Sequence, residues 1–212
     1  MAFSFTFLFP GQGAQALGMA VDLAGARPEA RAVFDAGREL LGRDILGICR
    51  DGPEEELHST RTSQPAIFLH SMAALEVLGK DLSAGRFARG VPAQATAGLS
   101  LGEYSALVFA GSLEFEDALR IVGLRGQLMQ EACDATRGTM ASIIGLQAGK
   151  VEEVVEKARS DGFQVGVANY NSPDQTVISG EVGAVDEAVK RLDAAGARRA
   201  IRLKVGSAST PT

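Results

Sequence analysis

QATAGLSLGEYSAL, residues 94–107, is the stretch of the sequence that decides the fold. Its pattern predicts a strand over Ala95–Gly98, a sharp turn, and a helix over Leu101–Phe109. The turn reads GxSxG, in which glycines let backbones pass closely while the serine takes a strained conformation and exposes its hydroxyl above a helix N-terminus. Ser100 is therefore the candidate nucleophile, with the Leu101 N–H facing a developing oxyanion. Small residues around a serine also form ordinary tight turns, so the strand-turn-helix context is the test.

The sequence before this motif predicts one strand and several helices. Phenylalanines alternate with smaller residues from Ala2 to Phe9, a pattern typical of a strand, and Pro10 ends it. The glycine-rich turn over 11–15 either brings an amide side chain beside a reacting centre or is a solvated loop. Helical spacing of apolar residues predicts two short helices over 28–50, and Ser63-Gln64-Pro65 opens a further helix with its proline near the first turn.

After the motif, a long amphipathic helix is predicted over Leu113–Cys133, with Leu128 and Met129 among its apolar residues. Arginines on such a helix, Arg125 included, are usually solvated or paired with nearby acids. From Thr139 onward the period changes and predicts the order βαββαβ, with helices over 148–160 and 182–195. The strands are predicted over 139–145, 164–170, 175–180 and 198–205. This is the order of a ferredoxin-like module, so the chain divides near residue 135.

Composition excludes several classes of function. A chain of 212 residues with 46% hydrophobic content forms one sizeable domain, or a main domain carrying a small inserted one. A net charge of −5 without a basic block argues against nucleic acid as a partner. Cys49 and Cys133 lack a metal or disulfide spacing, which favours free thiols in a reducing compartment. Neither a signal peptide nor an apolar run of about 20 residues is present, so we expect a soluble cytoplasmic protein without a membrane partner.

Four motifs stand in order along the chain: FPGQGAQ (9–15), GLSLGEYSAL (98–107), LRGQLMQEA (124–132) and ANYNSPDQTVISG (168–180). Together they resemble the malonyl-CoA:acyl carrier protein transacylases of fatty acid synthesis and the related acyltransferase domains of polyketide synthases. The resemblance runs from about residue 3 to about residue 205. It implies an α/β fold made of an incomplete α/β-hydrolase-like core with the nucleophile elbow (1–135), a ferredoxin-like subdomain (136–205) and the start of a return segment to the core (206–212).

The same resemblance implies an acyl transfer in two steps. Ser100 would attack the malonyl thioester of malonyl-CoA, and the phosphopantetheine thiol of acyl carrier protein would then accept the malonyl group. The backbone N–H groups of Gln12 and Leu101 would form the oxyanion hole, and Arg125 would hold the free malonyl carboxylate. The two substrates are the expected partners, and neither a cofactor nor a metal is implied.

Two departures from the family's pattern bear on activity. Leu99 stands where the family usually has a histidine, beside the acyl pocket. The family's general base is a histidine in a segment close to GAFHTP, whereas residues 205–212 read VGSASTPT. His58 and His70 both precede Ser100, so neither occupies that position. We therefore expect a truncated or frameshifted transacylase, or an incomplete sequence of one, whose turnover is nearly abolished.

Two other functions stay open. The first is a non-catalytic module that binds acyl-CoA or carrier protein through the same pocket. The second is a serine thioesterase that releases the acyl group to water, which Arg125 disfavours because an unsubstituted acyl chain would leave a buried cation without a partner. Asn169 and Asn171 precede Pro173 as turn-forming residues and receive no other role.

Overall fold

The computed structural model describes residues 5–135 and 138–203. The chain divides into two compact units, Met1–Gln130 and Glu131–Thr212. Helices and strands occur in both units, which confirms the mixed α/β class predicted from the sequence. None of the described helices is long and apolar enough to cross a membrane.

The first unit holds a strand, β1 (Phe5–Phe9), that is separated by a series of helices from a second strand, β2 (Ala93–Gly98). A short 3-10 turn over Arg86–Ala88 leads into β2. The helices are α1 (Val21–Ala26), α2 (Pro28–Leu41), α3 (Ile45–Asp51), α4 (Glu54–His58), α5 (Thr60–Asp81), α6 (Gly102–Phe109) and α7 (Phe115–Ala135), the last of which continues past the unit boundary.

Helix α5 begins at Thr60, earlier than the sequence predicts, so that Pro65 lies inside the helix. Proline has no N–H to donate to the carbonyl four residues before it, which is that of Arg61. Nη1 of Arg43 donates to this carbonyl oxygen at 3.1 Å and so replaces the missing backbone hydrogen bond. A distant side chain therefore allows the helix to extend beyond its proline, which local sequence does not show.

Strands β1 and β2 pair in parallel, with Phe9 opposite Gly98. The rings of Phe7 and Phe9 pack against Phe109 of α6 at centroid distances of 4.4 and 6.3 Å, whereas Leu8 faces the other way and is 75% exposed. Parallel strands end at the same edge of a sheet. The loop after β1 and the turn after β2 therefore lie side by side.

The core of the first unit is centred on α5. Its buried residues include Ile67, Phe68, Met72 and Leu75 on that helix, together with Leu119 and Val122 of α7. Of the four apolar residues that the sequence places on this amphipathic helix, Leu119 and Val122 are buried, whereas Leu128 and Met129 are exposed. At that level of the helix the buried residue is Gly126, where an added Cβ would lie 2.8 Å from the carbonyl oxygen of Thr60. The close contact of two backbones there leaves no space for larger side chains.

The second unit has the predicted order of strands and helices. Its elements are β3 (Gly138–Ile144), α8 (Ala148–Ser160), β4 (Val165–Ser172), β5 (Gln175–Glu181), α9 (Val182–Ala194) and β6 (Arg199–Leu203). The strands form one sheet in the order β4-β5-β3-β6, and every neighbouring pair is antiparallel. Apolar residues of α8 and α9 form a core with Ile143 and Ile178 of the sheet. Asn169 and Asn171 lie within β4, so the prediction that they form a turn is wrong. The segment 206–212 lies outside the described residues.

Candidate active site

Ser100 lies in a tight turn between β2 and α6. Its φ of 52° places the backbone in the left-handed region, which is uncommon for a residue other than glycine. Hydrogen bonds close the turn, from the Gly102 N–H to the Leu99 carbonyl at 2.9 Å and from the Glu103 N–H to the Ser100 carbonyl at 3.2 Å. The strand-turn-helix context required by the GxSxG pattern is therefore present.

Backbones pass each other closely around this turn. An added Cβ at Gly98 would lie 2.0 Å from the carbonyl carbon of Gly102, and one at Gly102 would lie 2.3 Å from the carbonyl oxygen of Phe9. The Leu99 N–H also donates to the Phe9 carbonyl at 3.2 Å. The end of β1 thus fixes the turn that carries Ser100.

Arg125 of α7 reaches the nucleophile candidate directly. Its Nη2 donates to Oγ of Ser100 at 2.8 Å and its Nη1 donates to Oε1 of Gln64 at 2.5 Å, while the guanidinium carbon lies 6.0 Å from the centre of the Tyr104 ring. In the described part of the chain, no carboxylate forms an ion pair with Arg125. By contrast, Arg120 on the same helix pairs with Asp117 at 3.1 Å. Arg125 thus keeps its positive charge uncompensated beside a serine hydroxyl, where it is available to an anion.

The two backbone donors predicted for an oxyanion lie at the same edge of the β1–β2 pair. Leu101 directly follows Ser100. The loop that carries Gln12 lies directly against the turn, since an added Cβ at Gly11 would be only 2.6 Å from the Leu99 carbonyl oxygen. Neither the Gln12 N–H nor the Leu101 N–H donates a hydrogen bond to another residue within 5–135 or 138–203. Both groups are therefore free to donate to a ligand.

The side chain of Gln12 is anchored through Thr60 at the start of α5. Nε2 of Gln12 donates to Oγ1 of Thr60 at 3.4 Å, and the backbone N–H of Thr60 donates to Oε1 of Gln130 at 2.9 Å. Thr60 is buried. It therefore links the loop after β1 to α7, the helix that also carries Arg125.

Neither histidine forms a hydrogen bond to Ser100. The Nδ1 atom of His58 accepts from Nε2 of Gln15 at 2.8 Å, and its Nε2 lies 3.4 Å from Oε1 of Glu54. His70 is half-buried on α5, and desolvation lowers its pKa below the ordinary value of 6.5. The described residues thus bring Ser100 and Arg125 together but provide no histidine bonded to the serine.

Gln64 is a residue of this site that sequence reasoning missed. It is completely buried on α5, where its side-chain amide forms hydrogen bonds with Arg125 and Met129. The available signal was its polarity, because Gln64 directly precedes the apolar run from Pro65 to Leu69. A polar side chain in a buried segment needs hydrogen-bond partners, and these partners here belong to the candidate site.

The cysteines lie elsewhere and show no sign of metal binding. Cys49 is buried in α3, where desolvation raises its pKa to about 11, whereas Cys133 is exposed on α7. Among the described residues, no group of three or more His, Cys, Asp or Glu side chains is arranged to hold a metal ion.

A family model described as the acyl transferase domain matches residues 6–210. The chain belongs to this family. The acyl transferase domain is 43% identical over 201 residues to the malonyl CoA-acyl carrier protein transacylase of Escherichia coli (strain K12), which covers 95% of the chain and 62% of that protein. It is 42% identical over 199 residues to the protein of the same name from Bacillus subtilis (strain 168), which covers 94% of the chain and 60% of that protein.

Solved structures show the same relationship. An acyl carrier protein S-malonyltransferase from Vibrio cholerae O1 biovar eltor str. N16961 superposes with a TM-score of 0.84 at 41% identity, covering 96% of this acyl transferase domain and 64% of that chain. A malonyl-transacylase solved in complex with a type II polyketide synthase acyl-carrier protein gives a TM-score of 0.85 at 42% identity, covering 96% and 63%. The chain thus spans less than two thirds of the length of these relatives.

Proposed function

We propose that this acyl transferase domain carries the malonyl-transfer site of a malonyl-CoA:acyl carrier protein transacylase of fatty acid biosynthesis. The observation that carries the proposal is the hydrogen bond from Arg125 to Oγ of Ser100, made by an arginine without a carboxylate partner among the described residues. The names of the similar proteins support the same reaction.

In the proposed reaction, Oγ of Ser100 attacks the carbonyl carbon of malonyl-CoA and the thiolate of coenzyme A leaves. The phosphopantetheine thiol of acyl carrier protein then attacks the resulting malonyl ester and releases Ser100. The N–H groups of Gln12 and Leu101 stabilise the oxyanion in both steps, and each such donor typically contributes about 3 kcal/mol. Only an acyl group is exchanged between oxygen and sulfur, so the transfer needs no cofactor beyond its substrates.

Arg125 supplies selectivity for the malonyl group. A guanidinium presents parallel N–H donors that match the two oxygens of a carboxylate. An acetyl group offers no such anion and would leave the half-buried cation unpaired. The same cost disfavours a general thioesterase that accepts unsubstituted acyl chains.

The proton of the Ser100 hydroxyl needs an acceptor for the first step. No histidine within 5–135 or 138–203 is hydrogen-bonded to Ser100. We propose that the general base comes from outside the described residues. A site without that base would bind malonyl-CoA but acylate slowly.

The finer description of the fold is also a proposal. We assign residues 1–135 to part of an α/β-hydrolase-like core, supported by the parallel β1–β2 pair with the serine turn at its carboxyl edge. Residues 136–205 are assigned to a ferredoxin-like subdomain, supported by the strand order β4-β5-β3-β6 and the two helices α8 and α9.

Incubation of the purified chain with malonyl-CoA labelled in the malonyl group tests the function. We expect covalent label to accumulate slowly on the peptide that contains Ser100, to pass to phosphopantetheinylated acyl carrier protein, and to be absent in Ser100→Ala. Ser112→Ala, an exposed serine ten residues from the elbow helix start, serves as the matched control. Binding without any label after prolonged incubation supports the non-catalytic module instead, and rapid release of free malonate supports the thioesterase.

A further inference from the structure

Two hydrogen bonds fix the side-chain amide of Gln64, which accepts in one and donates in the other. Its Oε1 accepts from Nη1 of Arg125 at 2.5 Å, and its Nε2 donates to Sδ of Met129 at 3.2 Å. A guanidinium can only donate and a thioether can only accept, so the two partners determine which way the amide points. The side chain is 0% exposed, which means that water cannot replace either partner.

We propose that Gln64 is a positioning residue that sets the preference of the site for acyl groups bearing a carboxylate. This inference rests on the proposed role of Arg125. Gln64 holds one terminal nitrogen of Arg125 through a neutral oxygen, so it orients the guanidinium without neutralising its charge. Each terminal nitrogen carries two N–H bonds, and Nη1 therefore keeps one for a ligand while it is bound to Gln64.

Three other arginines show what a charged partner does. Arg27, Arg43 and Arg191 are each held by the carboxylates of aspartate or glutamate residues. A carboxylate at position 64 would form the same kind of ion pair with Arg125 and would compete with the carboxylate of the substrate. The neutral amide of Gln64 instead leaves the charge of Arg125 available to an anion.

Equilibrium binding of malonyl-CoA and acetyl-CoA to the whole chain, measured by calorimetry, tests this inference without requiring turnover. In Gln64→Glu we expect the affinity ratio of malonyl-CoA to acetyl-CoA to fall about 10-fold or more, because the new carboxylate neutralises Arg125. Acetyl-CoA affinity should stay within about twofold, which a general loss of structure would not allow. Gln94→Glu adds the same charge at an exposed position and should leave the ratio unchanged.

A second variant covers the case in which the buried substitution prevents folding. Met129 is 39% exposed, so Met129→Leu should fold while it removes the acceptor of the Gln64 Nε2 group. We expect the ratio to fall about two- to fivefold because the amide loses one of its two fixed points. Leu128→Met, the reverse exchange at the exposed neighbouring position, should not change the ratio.

The outcomes separate the two proposals. Equal affinities of the wild-type chain for acetyl-CoA and malonyl-CoA would overturn the proposed function and the role of Gln64 together. A wild-type preference for malonyl-CoA that persists in Met129→Leu and in folded Gln64→Glu would overturn the role of Gln64 alone. A reduced ratio with retained acetyl-CoA affinity supports it.

Discussion

Arg125 donates a hydrogen bond from Nη2 to Oγ of Ser100 over 2.8 Å. The candidate nucleophile is therefore in direct contact with the arginine that is expected to bind the carboxylate of the substrate. The contact occupies a lone pair of the hydroxyl oxygen. A carboxylate that binds Arg125 competes for the same N–H group, because a charged acceptor forms a stronger hydrogen bond than a neutral hydroxyl. Binding of a malonyl group would therefore also release the serine oxygen for attack.

The first prediction concerns Arg125. Replacing it by alanine should weaken malonyl-CoA binding about 10- to 100-fold, since a hydrogen-bonded charge pair is lost, while acetyl-CoA binding changes little. Calorimetric titration with both ligands measures the effect. Arg120→Ala removes an exposed arginine of the same helix and should leave both affinities unchanged. A variant of Arg125 that still prefers malonyl-CoA would show that another group recognises the carboxylate.

The second prediction concerns the close contact at Gly102. Gly102→Ala should lower the free energy of unfolding by at least about 2 kcal/mol, because the new methyl group would lie 2.3 Å from the Phe9 carbonyl oxygen and neither backbone can move freely. Urea denaturation measures the change. Gly25→Ala in α1, where no atom lies within 4 Å of an added Cβ, should instead raise it by about 0.5–1 kcal/mol. Equal effects of the two substitutions would contradict the observed packing.

The third prediction concerns pH and His70. Burial lowers the pKa of His70 below 6.5, so the unfolded chain takes up a proton at a higher pH than the folded chain does. The free energy of unfolding should therefore fall as the pH drops from about 7 through the lower folded-state pKa, by at most about 1.4 kcal/mol per pH unit from this group.

Denaturation of the His70→Gln variant between pH 7.5 and about 5 checks this dependence, and we expect a flatter curve than that of the wild type. His58→Gln is the matched control, since the side chain of His58 is 47% exposed. An unchanged slope in His70→Gln would mean that other groups cause the acid sensitivity.

The fourth prediction concerns Thr60, which anchors Gln12. Thr60→Val keeps the shape of the side chain but removes the acceptor of the Gln12 Nε2 group. Amide hydrogens of residues 11–13 should exchange several-fold faster as that loop loosens, while the interior of α5 stays protected. Thr62→Val removes a hydroxyl that contacts Arg43 and Glu56 instead, and should change exchange only near α4. Equal exchange of residues 11–13 in wild type and Thr60→Val would show that the side-chain contact does not hold the loop.

The sequence was most informative where local pattern determines structure. The GxSxG spacing predicts the turn at Ser100, and the change of period after Thr139 predicts the order of the second unit, because both depend on neighbouring residues alone. The bounds of α8, Ala148–Ser160, were predicted to the residue.

Long-range contacts account for the differences. The start of α5 depends on Arg43, which lies 18 residues before the carbonyl that it bonds, and the exposure of Leu128 depends on a contact between Gly126 and another helix. Gln64 and Arg125 are 61 positions apart and meet only in the folded chain. Periodicity carries no information about which distant residues meet, so the support of Arg125 could not be predicted.

At the glycines around Ser100, the backbones of the loop after β1, of β2 and of the start of α6 are in direct contact, with no side chain between them. Side chains can change rotamer and absorb a small displacement, but peptide groups in direct contact transmit it. Any substitution that shifts β1 along its axis would therefore move the serine oxygen by a similar distance, even from the far end of the strand. The position of the candidate nucleophile is thus set by strand pairing, so residues far from Ser100 would also affect it.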